Sequence, residues 1–153
     1  MIELRDFQPG DEAALRAVFE SAIHGTARRD YSQLQADTWA PREHDPAAWA
    51  SRMHGLSPFV ALIDSAIVGY ADLQPTGCID HFYVAATAGG QGVGGALMRR
   101  ILARADELRL AELTSHVSLT AQPFFTHFGF EVVEHRVFDV HGVEMRNAAM
   151  RQA

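Results

Sequence analysis

The run Gly89-Gly90-Gln91-Gly92-Val93-Gly94-Gly95 constrains this chain more than any other segment, because five of its seven residues are glycine. Each glycine weakens a helix start by roughly 0.5–1 kcal/mol relative to alanine. Their crowding in front of a strong helical pattern therefore needs a reason. The helix is expected from about Gln91 to Arg109, with Val93, Leu97 and Ile101 on one side and Arg99, Arg100 and Arg104 on its solvated face. A tight turn that needs glycine is the plainer account. The other is an anion site, in which side-chain-free backbone lets successive N–H groups approach a phosphate at the positive end of the helix. Five glycines exceed what a turn requires.

The rest of the chain gives this turn its setting. Ile2 to Phe7 reads as a strand, and Asp11 is placed to cap a helix running to about Ile23. Further helices are expected from Tyr31 to Trp39 and from Ala47 to Met53, the latter capped by Asp45 with Pro46 in its first turn. Phe59–Ile63, Ile67–Leu73 and Cys78–Val84 then read as three strands of an antiparallel meander. After the glycine helix come a strand at Glu112–Val117, a short helix at Ala121–His127 and a left-handed residue at Gly129. Two last strands, Phe130–Phe138 and Val143–Met150, meet at His141-Gly142. The expected fold class is α/β (α+β): a mixed, mostly antiparallel central sheet of about seven strands with helices on both faces.

Bulk properties narrow the function. At 153 residues, with 48% hydrophobic and 21% charged residues, the chain is expected to form one domain over residues 1–153. A net charge of −6 argues against nucleic-acid binding, which requires a basic face. No apolar run approaches the roughly 20 residues of a membrane span, and the N-terminus does not resemble a signal peptide. A cytoplasmic location without membrane or nucleic-acid partners is the expectation. The one cysteine, Cys78, has no internal disulfide partner and is expected to be a buried thiol. Eight histidines occur without a metal-ligand spacing, so no metal is expected.

The identity of the anion can be narrowed by elimination. No lysine followed by serine or threonine closes the turn, which excludes a Walker-type loop. Gly90, Gly92 and Gly95 satisfy GxGxxG, but a meander precedes them and Glu112 stands at the start of its strand, so the dinucleotide setting is missing.

Two blocks together resemble the GNAT acetyltransferase superfamily. One is Tyr83-Val84 leading through the loop to Gly92-Val93-Gly94-Gly95-Ala96-Leu97, similar to the family's Arg/Gln-x-x-Gly-x-Gly/Ala signature. The other, Ser118 to Phe125 with Phe128-Gly129-Phe130, is similar to its Ala-x-x-Phe-Tyr/Phe-x-x-x-Gly-Phe block. The resemblance extends to the element order over nearly the whole chain. It implies acetyl transfer from acetyl-CoA to a primary amine on a small molecule or peptide, by direct attack. It also admits a homodimer.

The resemblance implies a set of site residues. Phe82 and Val84 would line the donor's pantetheine arm, in a gap where their strand splays from the one near Ser115 to Ser118. Gly89, Gly90, Gln91, Gly92, Val93, Gly94 and Gly95 would hold its diphosphate, and a backbone N–H near Val84 would face the thioester oxygen. Gly89 stands where the signature carries Arg or Gln. Phe125 stands where many relatives carry the tyrosine that protonates the departing thiolate, and phenylalanine has no proton to give. Tyr83 and Ser118 are the candidate donors in its place. Asp80 is the candidate base, with His81 on the opposite face of the strand as the alternative. Tyr31, Trp39 and Trp49 either line the acceptor pocket or pack the early helices.

Overall fold

The computed structural model describes residues 1–153. The strands are β1 (Ile2–Asp6), β2 (Phe59–Ile63), β3 (Ala66–Ala71), β4 (Cys78–Ile79), β5 (Phe82–Val84), β6 (Leu113–Ser118), β7 (Glu131–Val140) and β8 (Val143–Gln152). The helices are α1 (Glu12–His24), α2 (Gln33–Trp39), α3 (Pro46–Leu56), α4 (Val93–Glu107) and α5 (Gln122–His127), with a 3-10 turn at Thr26–Arg29. No helix is long and apolar enough to cross a membrane.

The strands form two four-stranded sheets, in the orders β1-β2-β3-β5 and β4-β6-β8-β7. Only the β4–β6 pairing is parallel. The first sheet is covered on both sides, which explains the uninterrupted apolar run of β2. Val60 and Leu62 pack with Leu15, Phe19 and Ile23 of α1, whereas Ala61 packs with Leu97 and Ile101 of α4. A fully buried leucine or isoleucine contributes roughly 1.5–3 kcal/mol, so these stripes fix both helices against the sheet. The second sheet adds Leu113, Val117, Ala148 and Met150 to the α4 core, where Phe125 and Phe130 close it.

Several expectations are corrected in detail. The meander's third strand is not continuous. Cys78-Ile79 joins β6 in the second sheet, and Phe82–Val84 joins β3 in the first. Asp11 stands at the N-cap of α1 but makes no capping bond there. Its carboxylate instead takes both guanidinium nitrogens of Arg5, at 2.7 and 3.0 Å, and the Gln8 amide. The hydrogen bond from Arg5 holds its pKa below the ordinary value. Helix α2 begins only at Gln33, because Ser32 and Gln35 form a capping box. Cys78 is half-buried rather than buried.

Candidate functional site

The split of the third strand leaves a wedge between β5 and β6. Backbone groups of consecutive strand residues point alternately to the two edges. Ala85 N–H bonds to the Val68 carbonyl and Asp72 N–H to the His81 carbonyl, so His81, Tyr83 and Ala85 face β3. Phe82 and Val84 therefore turn their backbone groups toward the wedge. On the facing strand, Thr114 N–H bonds to the Gly77 carbonyl. The same alternation turns His116 N–H to the Ile79 carbonyl, where β4 ends, and the Ser118 amide into the wedge beyond it. Both walls thus offer unpaired strand edges, which can take an extended ligand as an added strand.

The glycine turn closes one end of this wedge. Gly92 has φ +85°, a left-handed conformation that favours glycine, and stands as the N-cap of α4. The first helical bond runs from Ala96 N–H to the Gly92 carbonyl at 3.0 Å. Val93, Gly94 and Gly95 thus have no intrahelical partner for their amides. Any Cβ on Gly94 would lie 3.2 Å from the Phe124 ring, so the helix start and α5 approach as closely as glycine permits. Arg100 and Arg104 are engaged with Glu107, whereas the Arg99 guanidinium lies beside Gly95. Gln91 turns its side chain back to the Thr87 carbonyl, and Gly89, at φ −60°, has a conformation open to any residue.

Two cavities meet in the wedge. One, of about 230 Å³, reaches from Gly89 and Gly94 past Val84 and Phe124. The other, of about 290 Å³, lies between β6, the β7–β8 hairpin and α2, where Tyr31, Trp39, Asp80, His116, Arg146 and Asn147 give it a mixed lining. Trp39, Phe82, Tyr83, Ser118, Ala121 and Phe125 belong to both. These six residues are the common wall at which the two cavities join.

Both the sequence and the fold have known relatives. The family described as acetyltransferase (GNAT) domain matches residues 27–151. An uncharacterized N-acetyltransferase of Escherichia coli, YafP, is 31% identical over 150 residues, covering 98% of this chain and 95% of its own. The chain belongs to the GNAT acetyltransferase family. A GCN5-related N-acetyltransferase from Rhodopseudomonas palustris superposes with a TM-score of 0.93 at 28% identity, over 99% of this chain and 94% of its own. The PaiA N-acetyltransferase from Thermoplasma acidophilum, in complex with coenzyme A, shares the fold with a TM-score of 0.73 at 16% identity, over 99% and 98% of the two chains.

Within this GNAT domain the sequence-derived residues separate clearly. Asp80 faces the hairpin-side cavity and pairs with Arg52 at 3.3 Å. His81 points away and is buried; its Nδ1 meets the Tyr70 hydroxyl at 2.9 Å, and Arg52 Nε donates to its Nε2 at 3.2 Å. Burial, reinforced by Arg52, lowers its pKa to about 4, so it is a neutral structural imidazole. Ser118 accepts the Ala121 amide at 3.2 Å, which leaves its own O–H free to donate. Tyr83 sits against Phe19, Trp39 and Tyr70, and burial raises its pKa well above the usual phenol value. Phe125 is packed by Phe82, Phe124 and Phe130. Trp49 is on the packing side, donating its indole N–H to the Glu12 backbone carbonyl.

The sequence reading missed His116, Arg146 and Asn147. His116 lies beyond Ile79 and Ser115, which pair in the β4–β6 register, and shares the cavity wall with Asp80. Burial, then Arg136, lowers its pKa. Alternation along β6 was the available signal, because Thr114, His116 and Ser118 fall on one face.

Proposed function

We propose that this GNAT protein transfers an acetyl group from acetyl-CoA to a primary amine, by direct attack and within a single domain spanning residues 1–153. The observation that carries the reading is the wedge itself: two unpaired strand edges that run from a partnerless helix start to a second, mixed-polarity cavity. A fold neighbour in complex with coenzyme A supports the choice of donor.

When bound, acetyl-CoA supplies the thioester that the amine attacks. The amides of Val93, Gly94 and Gly95 then hold its diphosphate, with Gly90 and Gly92 shaping the turn. Phe82 and Val84 line the pantetheine arm, and the Val84 N–H faces the thioester oxygen. Asp80 draws the acceptor's ammonium to the cavity wall, where Asp80 and His116 together take up its proton. Ser118 donates to the departing thiolate. Tyr83, which stays protonated at neutral pH, is the second hydroxyl at the junction. The acceptor is a small amine or the amino end of a peptide, with its apolar part against Trp39 and Phe138.

Phe125 favours a second reading, a CoA-binding module without turnover, because a buried phenylalanine stands at the usual acid position. Thiol release from acetyl-CoA across a broad amine panel separates the two. Steady release with any amine, lost in Ser118→Ala or Tyr83→Phe, supports the transferase. Tight acetyl-CoA binding with no release from any amine supports the binding module.

A further inference from the structure

The wedge exists only because the run from Cys78 to Val84 breaks at Asp80-His81, and nothing in that run's own sequence calls for a break. Two backbone groups lose their ladder partners there, the N–H of Asp80 and the N–H of His81, whereas the Ile79 carbonyl stays in the parallel β4–β6 ladder. Buried backbone groups left unpaired are expensive, so each needs a substitute.

One side chain supplies both, and a second ties down the end of β4 beside them. Asp72, with 0% exposure, accepts on one oxygen from Asp80 N–H at 3.0 Å and from His81 N–H at 2.6 Å. Its other oxygen accepts from Gln74 Nε2 at 2.7 Å. On the facing strand, Ser115 donates its hydroxyl to the Ile79 carbonyl at 2.8 Å. The register shows what the carboxylate does. Ala71 pairs with Phe82, so Asp72 and His81 form the next antiparallel pair. Asp72 N–H donates to the His81 carbonyl at 3.1 Å, as a ladder requires. The return bond from His81 goes to the carboxylate instead of the Asp72 backbone carbonyl, and the ladder ends there.

We infer that Asp72, assisted by Ser115, is a positioning residue that holds the strand break open and thereby sets the donor gap and the place of Asp80 on the acceptor wall. The inference rests on reading the wedge as the acetyl-CoA site. Asp72 itself lines neither cavity. Without its carboxylate, the Asp80 and His81 amides lose their common acceptor, and the break no longer has a fixed geometry.

The test compares Asp72→Ala, Asp72→Asn, Ser115→Ala and, as a control for lost stability, Met53→Ala in the core on the far side of the first sheet. Acetyl-CoA affinity is measured by calorimetry, and hydrogen exchange is followed at the Asp80 and His81 amides without ligand. Asp72→Ala is expected to speed exchange at those two amides and to weaken acetyl-CoA at least about ten-fold. Asp72→Asn keeps an oxygen that accepts both bonds and stays within about three-fold, while Ser115→Ala, one bond short, falls between them. Met53→Ala leaves the affinity unchanged. Asp72→Ala that folds and binds as wild type overturns the inference. If that variant does not fold, unchanged affinity and exchange in Ser115→Ala overturn it. If the wild type itself fails to bind acetyl-CoA, the reading of the wedge falls, and fast wild-type exchange at Asp80 and His81 overturns the role of Asp72 independently.

Discussion

The two halves of the wedge are built by different means. The glycine-turn half is made of backbone: free amides at Val93–Gly95, a left-handed Gly92, and strand edges at Phe82 and Val84. The hairpin half is made of side chains drawn from distant parts of the chain, among them Tyr31, Trp39, Asp80, His116 and Asn147. A backbone site offers the same chemistry to any ligand with a diphosphate and an extended arm. A side-chain site can be changed residue by residue. On the proposed reading, the backbone half takes the donor and the side-chain half selects the acceptor.

The comparison breaks most visibly if a side chain is forced into the backbone half. Gly94→Glu pushes a carboxylate against Phe124 and the diphosphate position, and is expected to weaken acetyl-CoA at least about a hundred-fold. Its check is loss of the ligand-induced rise in melting temperature, which for wild type corresponds to about 2.7 kcal/mol at a hundred times the dissociation constant.

Next comes the rigid backing of the side-chain half. His81 is neutral in the fold, with its pKa lowered to about 4, whereas the unfolded chain takes up its proton near 6.5. Its contribution is therefore complete above 6.5 and is lost as pH falls toward 4, roughly 2 kcal/mol by pH 5. Denaturant titrations at pH 7.5 and 5 check this, and His81→Gln is expected to flatten the difference. A smaller effect is expected at the wall itself. Asp80→Asn lowers turnover at least about ten-fold with acetyl-CoA affinity unchanged, measured by thiol release beside calorimetry. The smallest is at His116, whose lowered pKa keeps it a proton acceptor to below pH 6.5. His116→Gln is expected to reduce turnover about three- to ten-fold and to remove the acid-side fall from the pH–rate profile.

The same contrast explains what could be read from the sequence. The glycine turn was legible because glycine in that number has a backbone purpose, and Gly129 and His141-Gly142 because positive φ restricts which residues can serve. The helical stripe of Val93, Leu97 and Ile101 was legible from its period. The break at Asp80-His81 was not, because its cause, Asp72, lies eight residues earlier in the preceding strand's extension and acts through a side chain. Asp11 misled for a related reason: a residue type suited to capping was taken by Arg5. The acceptor wall was illegible for the most part because Tyr31 and Asn147 meet only through the packing of the first helices on the last hairpin. Tyr31 donates to the Arg146 carbonyl at 2.5 Å, across most of the chain.

The most direct test of the central claim is an amide-resolved NMR titration of the wild-type protein with acetyl-CoA. The account predicts shifts concentrated at Phe82, Val84, Gly92 to Gly95 and Ser118, the two strand edges and the helix start that bound the wedge. Saturable shifts elsewhere with these amides unmoved, or no shifts at millimolar acetyl-CoA, would contradict it.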